Sequence, residues 1–151
     1  METVGLGFFF EDMSTGRTFK TIGRTITETD IVNFCGLSGD FIPFHSNEEV
    51  AKNSMFGARI AHGALIFSIS TGLWTQLEAL HDTVMAFYGI DRMRFTKPVH
   101  IGDTIQLTKK VIAREERAAD SGLVTFETTV INQKRETVLI YFDKLLIRRR
   151  E

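Results

Sequence analysis

Asp40 and His45 form the first pair of side chains in the sequence that could perform chemistry together. They lie five positions apart in segment 38–45, where Gly39 and Pro43 favour an irregular loop between two helices. A carboxylate and a neutral imidazole can hold a water molecule between them, one group accepting its proton while the other orients it. In another interpretation the aspartate only caps the turn and the histidine only caps the next helix. The pair alone does not decide between these two.

Gly63 offers a third group, which is a main-chain N–H. It follows His62 and precedes a stretch of apolar residues at helical spacing, so the first free N–H groups of that helix lie near it. Glycine lets a ligand approach the backbone closely, and negative charge on a carbonyl oxygen would be stabilised there by the amide and the helix dipole. The glycine could equally serve only the turn into a buried helix. Together with Asp40 and His45, it would supply a base, an acid and an oxyanion donor.

Two short helices are predicted to flank the Asp40–His45 pair. Residues 27–30 have capping-box spacing and predict a helix that ends near Gly36. Residues 46–49 repeat the capping signal, so a second helix should begin directly after His45 and run to about Asn53. His45 is therefore expected beside a helix N-terminus.

A long helix over residues 63–80 is predicted from its apolar spacing, and the rest of the chain has the two-residue period of strands. One strand, with a bulge at Gly23, is predicted ahead of the helices, over residues 18–26, and four follow the long helix. The last strand covers residues 137–147 after a polar turn at 132–136. The apolar faces of these elements are best buried if a curved antiparallel sheet wraps around the long central helix. This arrangement is the α+β hot-dog fold. Strand count alone leaves other α+β folds open.

The composition predicts one globular domain over residues 1–151, since hydrophobic residues make up 43% and charged residues 25%. A net charge of −1 provides no general field for nucleic acid or for an anionic membrane. Cys35 is the only cysteine, which excludes an internal disulfide and a cysteine-based zinc site, and His81 and His100 lack ligand spacing. No signal peptide or membrane-length apolar run is recognisable. We expect a cytoplasmic protein without a metal.

Four motifs, in this order and spacing, resemble the MaoC-like dehydratase family, which includes the (R)-specific enoyl-CoA hydratases. The resemblance covers nearly the whole chain and implies the hot-dog fold. The motifs are Phe9-Phe10-Glu11-Asp12 with Gly16, then Ser38-Gly39-Asp40 to Pro43 and His45, then Arg59-Ile60-Ala61-His62-Gly63, and finally Phe95-Thr96-Lys97-Pro98-Val99 with Gly102-Asp103.

The resemblance implies a role for each group named above. Asp40 and His45 would activate a water for syn addition to a trans-2-enoyl thioester, and the Gly63 amide would bind the thioester oxygen. Thr71, eight positions after the glycine, matches a hydroxyl residue that lies near the pair in related hydratases. One position departs from the family, because Ile42 stands where the hydratases usually carry asparagine and can make no side-chain hydrogen bond.

The implied enzyme is an enoyl-CoA hydratase or 3-hydroxyacyl-CoA dehydratase, a hydro-lyase of fatty acid metabolism that needs no cofactor beyond the coenzyme A of its substrate. A hot-dog acyl-CoA thioesterase is one alternative, and a non-catalytic acyl-thioester-binding partner subunit, suggested by Ile42, is another. A homodimer or higher homo-oligomer is expected. The sequence does not indicate the length or branching of the acyl chain or the physiological direction of the reaction. It also does not indicate whether the acyl group is carried by coenzyme A or by acyl carrier protein. The residues assigned to substrate binding are Thr71, Ile42, Pro43, His62 and Lys97.

Overall fold

The computed structural model describes residues 7–78 and 80–150. A short 3-10 helix at Phe10–Asp12 precedes the regular elements. Four α-helices follow in the first half of the chain: α1 (Glu28–Ser38), α2 (Pro43–Ser46), α3 (Glu48–Lys52) and α4 (Gly63–Thr75). The strands are β1 (Thr18–Lys20), β2 (Arg24–Thr25), β3 (Val84–Phe95), β4 (Thr104–Ala118), β5 (Ser121–Ile131) and β6 (Thr137–Arg148).

The described strands form one antiparallel sheet that covers α4. The order is β1-β4-β5-β6-β3, and β2 pairs with β4 beside β1. Alternate residues of β4, β5 and β6 are buried and join the apolar side of α4 in one core. Trp74 of α4, for example, packs on Phe126 of β5 with ring centroids 5.8 Å apart. Burial of this apolar surface is the main force that holds the helix on the sheet.

The strand predicted over residues 18–26 is divided into two. Residues Thr21 to Gly23 leave the ladder, although the Thr21 N–H still donates to the Leu107 carbonyl at 3.0 Å. The expected interruption at Gly23 is therefore longer than a single bulge. β1 lies at one edge of the sheet, and the polar turn at 132–136 joins the antiparallel strands β5 and β6, as the sequence predicted for that turn.

The helix predictions need corrections at the end of α1 and at the start of α2. The Thr27 cap of α1 is confirmed, but the helix continues to Ser38 because Gly39 (φ 77°), and not Gly36, supplies the left-handed residue that ends it. The predicted loop 38–45 is shorter than expected, because Pro43 begins α2 instead of stiffening an irregular segment. His45 therefore lies inside a helical turn.

The second and the long helix also differ from the prediction. Asn47, and not Ser46, caps α3, with its side chain accepting from the Val50 N–H at 3.1 Å. The long helix α4 ends at Thr75, five residues before the predicted end at Leu80. Glu78 has a positive φ of 54°, which a helix cannot continue through, while Leu80 remains buried and so extends the apolar pattern. Among the described helices, none is both long enough and apolar enough to cross a membrane.

Candidate active site

The loop between α1 and α2 holds the Asp40 carboxylate by its own backbone. The Ser38 hydroxyl accepts from the Asp40 N–H at 3.1 Å, and Asp40 Oδ1 accepts from the Ile42 N–H at 3.1 Å. This second bond is the turn that an aspartate side chain makes with the backbone two residues later. Because it uses the main chain of Ile42, the absence of an asparagine at that position does not remove it. Ile42 does leave α2 without a side-chain cap.

His45 is buried on α2, and one of its ring nitrogens is already occupied. Its Nδ1 lies 2.7 Å from the Ile60 carbonyl oxygen. Since a carbonyl can only accept, Nδ1 carries the proton and Nε2 of the neutral ring presents a free lone pair. Burial lowers the pKa of His45 below its ordinary value, and the neighbouring His62 adds to this effect. The neutral ring is therefore the form expected at neutral pH.

His62 connects the two parts of the site. Its ring stacks on His45 with centroids 3.8 Å apart and planes inclined by 23°. Its Nε2 donates to the main-chain oxygen of Asp40 at 2.9 Å, and the Cys35 sulfur lies 3.6 Å from the same nitrogen. Its Nδ1 is buried and has no hydrogen-bond partner among the described residues. His62 thus ties the Asp40 loop to the start of α4 and covers one face of the His45 ring.

Asp40, His45 and His62 form one cluster. One polar side-chain atom from each residue lies within 4.8 Å of the others. A metal ion bound by both histidines would have to lie in the plane of each ring, and two stacked rings have lone pairs that run side by side instead of converging. The cluster is better suited to a water molecule between the Asp40 carboxylate and His45 than to a metal.

A cleft of about 450 Å³ brings His45 and Gly63 together. Gly63 is the first residue of α4, so its N–H has no acceptor within the helix, and His62 provides no side-chain cap. A Cβ on Gly63 would lie 2.8 Å from two ring carbons of Phe95, so no larger residue fits without moving that ring. The cleft is lined by Phe44, His45, Phe56, Ile60, Ala61, Gly63, Ala64, Ile66, Phe95, Thr96, Lys97, Pro98, Val99 and Val138.

The other sequence-predicted substrate residues are spread over different places. Lys97 lines the cleft, but its ammonium is paired with Glu136 at 2.8 Å. Ile42 and Pro43 are exposed beside the cluster. Thr71 is not in this cleft: it lines a separate cavity two helical turns away, and its hydroxyl donates to the Ser68 carbonyl at 2.7 Å. The structure therefore does not bring Thr71 to the Asp40–His45 pair.

Two features of the site were missed from the sequence. Phe95 was recognised only as part of a motif, but its side chain is 53% exposed and covers Gly63. Lys109 and Asp143 form a buried ion pair in the cavity that Thr71 lines. The sequence contained a signal for the burial of this pair. Lys109 is in phase with the buried Leu107 of β4, and Asp143 is in phase with the buried Tyr141 of β6.

Comparison with known proteins agrees with this architecture. The model of the MaoC like domain matches residues 11–134. The (R)-specific enoyl-CoA hydratase of Rhodospirillum rubrum is 38% identical over 80% of this chain and 79% of its own length. Protein MaoC of Klebsiella aerogenes is 40% identical over 74% of this chain, and the match spans only 34% of that longer protein.

Two solved structures define the fold. An Archaeoglobus protein described as a monoamine oxidase regulatory protein superposes with a TM-score of 0.90 at 38% identity, covering 96% of this chain and 97% of the other. A Mycobacterium tuberculosis protein with a double hot-dog fold superposes with a TM-score of 0.86 at 18% identity, covering 96% of this chain and 45% of that one. The predicted hot-dog fold is thereby confirmed, and the chain belongs to the MaoC-like dehydratase family.

Proposed function

We propose that this protein is a hydratase or dehydratase that interconverts a trans-2-enoyl-CoA and an (R)-3-hydroxyacyl-CoA. The observation that carries the proposal is that the His45 imidazole lines one cleft with the helix-end amide of Gly63 and has a polar atom within 4.8 Å of the Asp40 carboxylate. The relatives named as an (R)-specific enoyl-CoA hydratase and a 3-hydroxybutyryl-CoA dehydratase support the substrate class.

In the hydration direction, a water bound between Asp40 and His45 attacks C3 of the enoyl thioester. His45 Nε2 is the free nitrogen, so it accepts the proton of the water as the C3–O bond forms, while Asp40 orients the water. The pair delivers a proton to C2 on the same face, so the elements of one water molecule are added across the double bond. Dehydration follows the same steps in reverse.

The Gly63 amide acts on the thioester oxygen. Negative charge grows on this oxygen as C2 becomes enolate-like, and the Gly63 N–H, which has no acceptor within α4, stabilises it at the positive end of the helix. The thioester must approach the main chain closely for this bond, and the lack of a side chain at Gly63 permits that approach below the Phe95 ring. The main-chain nitrogen of Gly63 would therefore both bind the thioester and stabilise the charge that develops on its oxygen.

The test uses the loss of absorbance of the conjugated thioester when but-2-enoyl-CoA is hydrated. Asp40→Asn and His45→Ala should each lower kcat by about 10² or more, which is the usual scale of acid–base catalysis. Glu49→Gln, an exposed change on α3 away from the cleft, serves as the matched control and should leave kcat unchanged. Wild-type rates in both Asp40→Asn and His45→Ala would refute the assignment.

The same assay separates the rival functions. Release of free coenzyme A thiol without loss of the double bond would identify a thioesterase. Binding of acyl-CoA with no turnover by the purified chain would indicate a non-catalytic partner subunit. Chiral analysis of the 3-hydroxyacyl product tests the (R) configuration.

We also propose that the protein is a homodimer joined through β3. This strand is an edge of the sheet and exposes several large apolar side chains, an arrangement that otherwise invites aggregation. Pairing with a second copy would cover this edge. The exposed apolar residues along β3 are Val84, Met85, Phe87, Tyr88 and Phe95.

A further inference from the structure

A second cavity lies beside the C-terminal half of α4. Its volume is about 290 Å³, and it shares no lining residue with the catalytic cleft. Most of its wall is apolar, but one end is formed by charged groups. The lining residues include Thr71, Trp74, Phe87, Lys109, Tyr141 and Asp143.

The charged end is the ion pair of Lys109 and Asp143, whose side chains are both only 2% exposed. The Thr128 hydroxyl completes the cluster, since it accepts from Lys109 Nζ at 2.9 Å and donates to Asp143 Oδ1 at 2.7 Å. An ammonium has three N–H bonds. Among the described residues, two of them have oxygen acceptors, and the ammonium otherwise faces aromatic rings, with Phe126 at 4.8 Å and Trp74 at 5.2 Å. One donor of Lys109 is therefore available to a ligand.

The chemistry of this end selects a hydroxyl group. Lys109 and Asp143 neutralise each other, so a buried anion would gain little from the ammonium and would be repelled by the carboxylate. A hydroxyl can accept from Lys109 and donate to Asp143, and it carries no charge that must be desolvated. The apolar wall requires the remainder of the ligand to be hydrocarbon. The matching ligand is an alkyl chain that ends in a hydroxyl.

The cavity lies on the same side of α4 as the proposed thioester site. Gly63, Phe67 and Thr71 are four residues apart in turn and so share one helical face. Eight residues separate Gly63 from Thr71, which corresponds to about 12 Å along the axis. Phe67 stands between the two cavities, and its ring packs on Tyr141 at 5.2 Å and Phe87 at 6.5 Å. A chain passing from one cavity to the other must displace this ring.

We propose that this cavity receives the far end of the substrate's acyl chain and that Lys109 and Asp143 recognise a terminal hydroxyl there. The proposal rests on the proposed function only in placing the thioester at Gly63. An acyl chain of ten carbons has the length that the separation along α4 requires. The Lys109–Asp143 pair would then be a specificity device and not simply part of the core.

Calorimetric binding of two saturated thioesters, 10-hydroxydecanoyl-CoA and decanoyl-CoA, tests this without any need for turnover. The wild type should bind the hydroxylated ligand about tenfold more tightly, as expected for hydrogen bonds to charged groups. In Lys109→Met/Asp143→Leu the two dissociation constants should become equal. This double change leaves no unpaired buried charge, so the fold should tolerate it.

An exposed ion pair on α3, away from both cavities and from β3, supplies the control. Lys52 and Glu49 lie 2.5 Å apart at the surface, and Lys52→Met/Glu49→Leu should retain the tenfold preference. Equal dissociation constants in the wild type, or a preference that survives loss of the buried pair, would overturn the inference. The wild-type comparison needs no variant, so it decides the matter even if the buried double variant does not fold. Hydration of but-2-enoyl-CoA, measured separately, reports on the proposed function alone.

Discussion

His45 is buried beside Asp40, and its burial determines which protonation state acts at neutral pH. Burial lowers the pKa of His45, with the positive form of His62 contributing, while the Ile60 carbonyl and Asp40 oppose the shift. The acidic limb of kcat/KM for enoyl-CoA hydration should therefore fall below pH 6.5, the ordinary value for a histidine. A pH profile of the wild type, measured with but-2-enoyl-CoA, gives this limb. A limb at or above pH 6.5 would contradict the assignment of Nε2 as the base.

The same shift affects folding in a definite direction. A histidine whose pKa is lower in the folded than in the unfolded state binds fewer protons when folded. The stability associated with neutral His45 is therefore complete above the unfolded pKa of about 6.5 and declines as the pH falls through the folded value. Acid should thus weaken the site before it affects the exposed ion pairs of the surface.

His62→Ala should move the acidic limb to higher pH. The change removes the electrostatic effect of His62 that lowers the pKa of His45 and opens one face of the His45 ring to water, and both effects raise that pKa. It also removes the bond to the Asp40 main chain, so we expect kcat to fall by about tenfold through poorer positioning. The pH profile distinguishes this role from simple loss of stability. His81→Ala, an exposed histidine outside the cluster, should leave the limb in place.

Among the secondary-structure elements, the presence of a helix was easier to predict from the sequence than the residues at which it begins and ends. The capping box of α1 is a local signal, and the structure has it where the spacing predicts. The end of α4 is different, because the apolar period continues past Thr75 into a turn where Glu78 has a positive φ. The local apolar pattern indicates which residues are buried. Whether the backbone at those residues is helical depends on the packing of the whole chain.

The candidate site shows the same limit. Asp40, His45 and Gly63 are recognisable by residue type, spacing and resemblance, but no sequence pattern indicates that the His62 ring would stack on His45. The separation of Thr71 from the pair also depends on which turn of α4 faces which strand. Such contacts arise between distant segments, so they require the three-dimensional packing.

Gly63 and Phe95 couple the start of α4 to the end of β3. In Gly63→Ala the new methyl would meet the Phe95 ring at 2.8 Å, so the ring must shift over the cleft. We expect kcat/KM to fall about tenfold, as is usual when reacting groups are misplaced. Because Phe95 is half exposed, the free energy of unfolding should change little. Kinetics and thermal unfolding of the single variant check both statements.

A double variant shows whether the clash is the cause. Phe95→Ala removes the ring, so adding Gly63→Ala to it should cost less activity than the same change costs the wild type. An equal loss in both backgrounds would mean that the methyl itself blocks access to the amide. The loss of activity would then come from blocked approach of the substrate to the Gly63 main chain, and not from displacement of the Phe95 ring.

Across the whole molecule, the proposed catalytic groups and the edge of the sheet come from different elements that meet at the cleft. The cluster lies at the N-terminal end of α4, where α1, α2 and the Ile60 segment meet. The edge strand β3 runs along the other border of the sheet, and Phe95 at its end closes the cleft. An interface on β3 would therefore also fix one wall of the cleft that His45 and Gly63 line.

Tyr88→Glu tests this interface. Tyr88 is 60% exposed on β3, and the Arg117 guanidinium lies 5.6 Å from its ring, so a glutamate would have a cationic neighbour in the isolated chain. Between two paired copies, the same charge would be buried at a cost of several kcal/mol. Sedimentation should thus give a dimer for the wild type and a shift toward monomer for Tyr88→Glu. Val32→Glu, at a position 55% exposed on α1, should remain dimeric, whereas a monomeric wild type would exclude the β3 interface.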